Sequence, residues 1–145
     1  MPLSPDLEAK LILAAEEGVK NAYTSRNKSD DFRIGAAVLT EQGNIYSSGQ
    51  YVSGTLSLTL HAEQAVLAHA AAHWEHGVVA IAVTGNEIAN TFSNNEPIYP
   101  CHMCKQILWE SSRRSGLDME IIIVQRGKIL ERLTLSKIMS YTWPK

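Results

Sequence analysis

The sequence predicts a single α/β domain, residues 1–145, built as three α/β/α layers around a five-stranded mixed sheet whose last strand is antiparallel. Apolar segments of strand length alternate with segments of helical periodicity. Two of the predicted strands are each followed by a turn of about three residues, which is too short for a parallel crossover. Hydrophobic residues make up 45% of the 145 positions, enough for one domain with a sizeable core.

The first half of the chain predicts one helix followed by a β-hairpin. Ser4–Asp6 supplies an N-cap, a proline at the first helical position and an acid in the first turn. Apolar residues then recur at helical spacing through Ala22. A polar run follows and leads into a strand at 32–39, and a Gln-Gly-Asn turn returns the chain as a strand at 45–49.

The middle of the chain predicts a helix, a strand and two irregular segments. Residues 50–59 have no strong period and are expected to line a pocket. An alanine-rich helix is predicted from 61 to about 74, and it should stop by Gly77. A continuous apolar run at 78–83 predicts a strand that is buried on both faces. Residues 85–99 are predicted to be a polar loop.

The last third predicts one helix, a second hairpin and a closing turn of helix. The helix is expected from 101 to about 113. Strands are predicted at 120–125 and 129–133, joined by Arg-Gly-Lys. Apolar residues between 135 and 139 indicate a short closing helix.

Two short motifs contain a set of metal ligands and one spare carboxylate. His61 and Glu63 lie in a His-x-Glu motif, and Cys101 and Cys104 lie about forty residues later in a Pro-Cys-x-x-Cys motif. Two thiolates and one imidazole suit tetrahedral Zn²⁺, and three protein ligands leave a fourth position for water. Zinc makes such a water more acidic, and Glu63 is expected to be the base that takes its proton. The predicted cofactor is one Zn²⁺ per subunit.

The positions of His61 and Glu63 place a condition on the fold. Residues two apart inside a helix point about 200° apart and cannot serve one centre. At a helix N-terminus they can converge, and unpaired N–H groups there favour thiolates. Cys101, preceded by a proline, has the same setting. We therefore expect two helix N-termini to face each other across one zinc ion.

Charge and cysteine content narrow the possible partners. The formal net charge is -2, from 13 Lys and Arg against 15 Asp and Glu. This balance gives no reason to expect a nucleic-acid partner and favours a small-molecule substrate. Both cysteines belong to the metal motif, so a reducing compartment is expected. With no signal-peptide pattern and no membrane-spanning apolar run, we expect a cytoplasmic protein that does not bind membranes.

The motifs resemble those of the zinc-dependent deaminase superfamily. The closer similarity is to cytidine deaminases of free nucleosides. Residues 32–37, Phe-Arg-Ile-Gly-Ala-Ala, are similar to their first-strand motif, and 104–106, Cys-Lys-Gln, to their Cys-Arg-Gln. Residues 134–143 resemble their C-terminal segment, which ends in an aromatic residue, and the antiparallel final hairpin also fits this branch. The resemblance implies a cytidine-deaminase-like fold over nearly the whole chain.

The resemblance also implies an activity and several residue roles. The reaction would convert cytidine, deoxycytidine or a close aminopyrimidine nucleoside to the uridine-type product and ammonia, as in pyrimidine salvage. Glu63 would carry protons from water to the ring and to the leaving group. Phe32 would stack on the pyrimidine, and the backbone of Ala62 would contact the base. Trp143 would enter a neighbouring subunit's site, which implies a homotetramer, with a homodimer as the alternative.

Two departures from the family bear on the substrate. Nucleoside cytidine deaminases hold the ribose with an Asn and a Glu, eleven and nine residues before the first zinc ligand, where this chain has Gln50 and Val52. Gln50 can still offer an amide, but Val52 cannot accept a hydrogen bond. Trp143 replaces the family's Phe. These departures indicate an alternative substrate, a modified cytosine compound such as blasticidin S or another amino-heterocycle.

A third alternative is a non-catalytic binding module stapled by zinc. A structural zinc site normally has a fourth protein ligand. His102 is the one candidate nearby, but it lies between the cysteines and off the ligand face. Phe32 as a core residue and Trp143 as an ordinary terminal hydrophobe also remain open at this stage.

Overall fold

A computed structural model of the chain describes residues 3–145. The helices are α1 (Pro5–Lys20), α2 (Ala62–Ala72), α3 (Glu87–Phe92) and α4 (His102–Ser115). The strands are β1 (Ile34–Thr40), β2 (Ile45–Gly49), β3 (Val78–Gly85), β4 (Glu120–Gln125) and β5 (Lys128–Thr134). A 3₁₀ turn at Leu135–Ile138 follows β5. Within the described range, every helix is too short or too polar to cross a membrane.

The five strands form one mixed sheet in the order β2-β1-β3-β4-β5. Strand β1 is antiparallel to both β2 and β3, and β3 is parallel to β4. The parallel pair is connected through α3 and α4, as a parallel pair requires a long crossover. Strand β5 returns antiparallel to β4. The predicted mixed sheet with an antiparallel last strand is confirmed.

The sheet is buried on both faces, which gives the predicted three layers. Alternate residues of β4 show this directly. Ile121 and Ile123 belong to the core beneath α2 and α4, and Ile122 belongs to the core beneath α1. Successive side chains of a strand point to opposite faces, so the continuous apolar run of β4 fits a central strand. Helices α2 and α4, which hold the metal motifs, therefore share one face.

Four local predictions differ from the structure. Strand β1 begins at Ile34 rather than at residue 32. The segment 85–99 is not wholly irregular, because α3 forms there with Asn86 as its N-cap accepting from the N–H of Ala89 at 3.0 Å. Helix α2 ends at Ala72, two residues before the predicted end at about Trp74, because Trp74 adopts a left-handed φ of 65°. The closing helix is a 3₁₀ turn of four residues.

Candidate metal and active site

Both metal motifs begin their helices with the ligand at the N-cap. His61 caps α2 with ψ 157°, and Cys101 caps α4 with ψ 172°, so both are extended and lie just outside their helices. The backbone N–H of His61 donates to the side-chain oxygen of Gln64 at 3.0 Å, which fixes the entry to α2. The two N-termini face each other as the sequence predicts.

The three candidate ligand atoms form a compact triangle. Nδ1 of His61 lies 3.3 Å from Sγ of Cys101 and 3.3 Å from Sγ of Cys104, and the two sulfurs are 3.5 Å apart. Tetrahedral zinc, with bonds of about 2.3 Å to sulfur and 2.0 to 2.1 Å to nitrogen, sets these separations at about 3.6 and 3.8 Å. Outward shifts of about 0.3 Å would therefore admit the ion. The donor set and its spacing fit one Zn²⁺.

The protonation of Cys104 depends on whether a cation is bound beside it. Cys104 is fully buried. Burial raises the pKa of its thiol far above the usual range, and the nearby Glu63 carboxylate raises that pKa further. A thiolate there needs a neighbouring positive charge, and a bound divalent metal deprotonates its thiol ligands. A divalent metal bound here would therefore deprotonate the Cys104 thiol.

Glu63 lies in the first turn of α2, but its carboxylate is not part of the ligand triangle. Its side chain is 5% exposed and borders the same cavity as His61. Burial raises the pKa of Glu63, while its own backbone N–H, His61 and the Cys104 thiol act in the opposite direction. A buried carboxyl with a raised pKa, next to a metal site, is suited to accepting and returning a proton.

A cavity of about 460 Å³ opens next to the triangle. Its wall is mainly apolar, and in the described chain it contains one carboxylate and no lysine or arginine. Besides the two ligands His61 and Cys101 and the carboxyl of Glu63, it is lined by Phe32, Ile34, Gln50, Val52, Leu56, Thr59, Ala62, Ile98 and Tyr99. Such a pocket suits a small, flat, uncharged molecule with one polar edge.

Four of the five predicted substrate-binding residues border this cavity. Phe32, Gln50, Val52 and Ala62 all line it, as expected from their positions before and within the metal motif. Trp143 does not. Its side chain is 75% exposed, and its carbonyl accepts a hydrogen bond of 2.8 Å from the amide of Gln106 on α4.

Other lining residues were not singled out from the sequence. Ile98 and Tyr99 precede the Pro-Cys pair directly, and this adjacency could have indicated them. The Tyr99 hydroxyl donates to the carboxylate of Glu131 on β5, which raises the Tyr99 pKa. Leu56 and Thr59 fall within the aperiodic segment that the sequence assigned to the pocket as a whole.

Comparison with known sequences identifies relatives. The model of the family described as "Cytidine and deoxycytidylate deaminase zinc-binding region" matches residues 9–116. A cytidine deaminase of Sporosarcina psychrophila is 27% identical over 136 residues, covering 94% of this chain and 90% of that protein. A cytidine deaminase of Salmonella paratyphi B is 29% identical over 108 residues, covering 73% of this chain but 32% of that protein.

Comparison with solved structures shows the same fold. Cytidine deaminase from Burkholderia pseudomallei matches with a TM-score of 0.77 at 22% identity, over 97% of this chain and 100% of that one. Cytidine deaminase from Mycobacterium tuberculosis matches with a TM-score of 0.69 at 21% identity, over 92% and 94%. The family match spans residues 9–116, a range that includes the His-x-Glu and Cys-x-x-Cys motifs. This chain therefore belongs to the zinc-dependent cytidine and deoxycytidylate deaminase family.

Proposed function

We propose that the protein hydrolytically deaminates cytidine, deoxycytidine or a close aminopyrimidine nucleoside. The observation that carries this proposal is the position of Glu63, buried beside the His61, Cys101 and Cys104 triangle without belonging to it. Three protein ligands and a separate carboxyl group are typical of a catalytic zinc site rather than of a structural one. Membership of the deaminase family supports the same reaction.

The proposed mechanism assigns proton transfer to Glu63. When bound, Zn²⁺ supplies Lewis-acid activation of water at the position that the three ligands leave open. Glu63 takes one proton from the attacking water and delivers it to ring N3, while a C4–O bond forms. It then carries the proton of the added hydroxyl to the exocyclic nitrogen, and the C4–N bond breaks as the C4=O bond forms and ammonia leaves. The raised pKa of Glu63 favours this exchange in both directions.

The walls of the cavity would hold the pyrimidine. Phe32 stacks on the ring in this proposal, and backbone groups of Ala62 contact its polar edge. The apolar lining excludes water and so strengthens each polar contact around the reacting carbon. Because the described lining contains no lysine or arginine, a nucleoside fits better than a nucleotide with its phosphate.

A modified cytosine compound is the second candidate substrate. Val52 and Leu56, which border the cavity, cannot hydrogen-bond a sugar hydroxyl through their side chains. The amide of Gln50 already bonds the chain's own backbone on both its oxygen and its nitrogen. These features support a substrate in which ring N1 carries a group other than ribose. A zinc-stapled binding module is the remaining alternative, and the buried Glu63 argues against it.

We also propose that the protein is a homotetramer in which Trp143 reaches a neighbouring site, with a homodimer as the alternative. The exposed Trp143 is presented on a segment fixed to α4, since Gln106 donates to its carbonyl and Trp109 donates to the carbonyl of Pro144 at 2.7 Å. An exposed apolar surface elsewhere, including the stacked rings of Tyr23 and Tyr51, supports association with further copies.

The assay that tests the proposed function measures ammonia release by zinc-loaded protein. Cytidine, deoxycytidine, free cytosine and N1-substituted cytosines form the panel. Turnover of any of these compounds supports a deaminase, and the ranking separates the two candidate substrates. If the zinc-loaded protein turns over no amino-heterocycle, the proposal fails and the binding module is favoured.

A further inference from the structure

The segment that carries Phe32 lies where the sheet loses its flanking strands. Strand β1 pairs through Gly35 with Gly49, the last residue of β2, and through Ile34 with Gly85, the last residue of β3. Residues 31–33 lie beyond both ends, and Ile34 lies beyond the end of β2. Their backbone groups therefore need other partners.

Gln50, the residue after β2, supplies hydrogen-bond partners on the β2 side of this segment. Its Oε1 accepts from the N–H of Ile34 at 2.7 Å, and its Nε2 donates to the carbonyl of Phe32 at 2.7 Å. Its own backbone N–H donates to the carbonyl of Ile34 at 3.2 Å. Gln50 is buried, with 9% of its surface exposed.

Asn86, the residue after β3, supplies hydrogen-bond partners on the β3 side of this segment. Its Oδ1 accepts from the N–H of Arg33 at 3.2 Å, and its Nδ2 donates to the carbonyl of Asp31 at 2.7 Å. Its backbone N–H donates to the carbonyl of Arg33 at 3.0 Å. A backbone N–H can only donate and a carbonyl can only accept, so these partners fix the orientation of both amides.

The two amides together extend the hydrogen-bond ladder past the ends of β2 and β3. In an extended segment, successive residues direct their backbone groups to opposite sides. Residues 32 and 34 accordingly bond Gln50, and residues 31 and 33 bond Asn86. All four consecutive residues around Phe32 are held in this way.

We propose that Gln50 and Asn86 are positioning residues that hold Phe32 for the substrate ring, an inference that rests on the proposed deaminase function. The Phe32 side chain is 40% exposed, and its aromatic neighbour Phe92, which is 81% exposed, meets it edge-on with ring centroids 5.7 Å apart. Side-chain packing alone therefore leaves the Phe32 ring loosely held. The hydrogen bonds from Gln50 and Asn86 fix the backbone that carries Phe32, so less conformational freedom of the ring is lost when substrate binds.

Double-mutant kinetics on the zinc-loaded protein test this inference. The substrate is the panel compound with the highest kcat/KM for the wild type. Gln50→Ala and Asn86→Ala should each raise KM roughly threefold to tenfold, the range expected for loss of ordinary hydrogen bonds, with kcat within about twofold. In a Phe32→Ala background the same substitutions should change KM by less than about twofold. Gln42→Ala, in the exposed turn before β2, is the matched control.

The outcomes separate this inference from the proposed function. No turnover by the wild type defeats the deaminase proposal itself. Wild-type turnover with equal KM effects in both backgrounds, or with effects on kcat alone, overturns the positioning role. If an alanine variant does not fold, Gln50→Glu and Asn86→Asp replace it, because each keeps the acceptor oxygen and replaces the donor NH2 with a carboxylate oxygen that cannot donate to the facing carbonyl. These variants should show the same dependence on Phe32.

Discussion

His61 and Cys101 occupy equivalent positions in two different helices, and their ligand atoms lie 3.3 Å apart. Each is the N-cap residue and is extended, so its side chain reaches past the end of its helix. This equivalence explains how a His-x-Glu motif serves one centre. His61 stays outside α2 while Glu63 enters its first turn, and both reach the same cavity.

Loss of a thiolate ligand should remove the metal and weaken the fold. Cys101→Ser leaves His61 and Cys104 as the remaining ligands, and we expect zinc affinity to fall by more than the roughly 10- to 100-fold caused by losing an outer-shell partner. Metal binding contributes to folding, so the melting temperature should fall as well. Zinc content by mass spectrometry and thermal unfolding measure the two effects.

His102→Ala is the control for that measurement. His102 is exposed and lies between the two cysteines, outside the ligand triangle. We expect this variant to keep its zinc and its stability. A Cys101→Ser protein that binds zinc as tightly as the wild type would show that the triangle is not the metal site.

A carboxylate at position 52 should change substrate preference. Val52 borders the cavity, and Val52→Glu places an acceptor where a sugar hydroxyl can be bound. We expect kcat/KM for cytidine to rise by up to about tenfold relative to an N1-alkylcytosine, since a hydrogen bond to a charged group contributes roughly 1.5 to 3 kcal/mol before its desolvation cost. Val52→Leu is the apolar control. Parallel changes for both compounds would argue against a role of this wall in recognising the N1 substituent.

The turn before Phe32 should lose stability in acid through Asp31. The pKa of Asp31 lies well below its usual range, chiefly because its carboxylate accepts from the Thr24 hydroxyl at 2.6 Å, and also from the N–H of Lys28 at 2.9 Å and from Arg26. A carboxyl with a lowered folded-state pKa stabilises the fold above its unfolded pKa of about 3.9, and that contribution is lost as the pH falls towards the folded value.

Comparing variants across pH isolates this contribution. The difference in unfolding free energy between wild type and Asp31→Asn should be constant from about pH 7 to 5 and shrink below about pH 4. Asp30→Asn removes an exposed ion pair with Arg26, and such pairs contribute little. Urea unfolding at several pH values gives the comparison. A difference that stays the same down to pH 2 would contradict the assignment.

Substitution of Trp143 tests whether this residue contributes to the cavity of a neighbouring subunit. Trp143→Ala should lower kcat/KM because a neighbour's cavity loses an aromatic wall, and roughly tenfold is expected for truncation of a large interface aromatic. Trp74→Ala is the control, since Trp74 is 83% exposed and lies outside the cavity. Sedimentation of the wild type should show a tetramer or a dimer. If the wild-type protein is a stable monomer under the conditions in which it deaminates substrate, this role of Trp143 is excluded.

The parts of the site that local sequence determines could be predicted, and the parts that depend on where strands end could not. His61 and Cys101 follow from ligand chemistry and helix-start signals. The spacing of Gln50 predicts a substrate contact, and the residue does line the cavity. The sequence does not indicate that its amide bonds the backbone beside Phe32, which follows from the end of β2 one residue earlier. Helix α3 was missed because six residues are too few to show a helical period.

The measurement that tests the central claim most directly is zinc content together with ammonia release for the wild type and Glu63→Gln. Glu63 lies outside the ligand triangle, so the variant should keep about one zinc per chain. Its kcat should fall at least roughly 10²- to 10⁴-fold, because the proton carrier is lost. A Glu63→Gln protein that holds its zinc and releases ammonia at the wild-type rate would contradict the account.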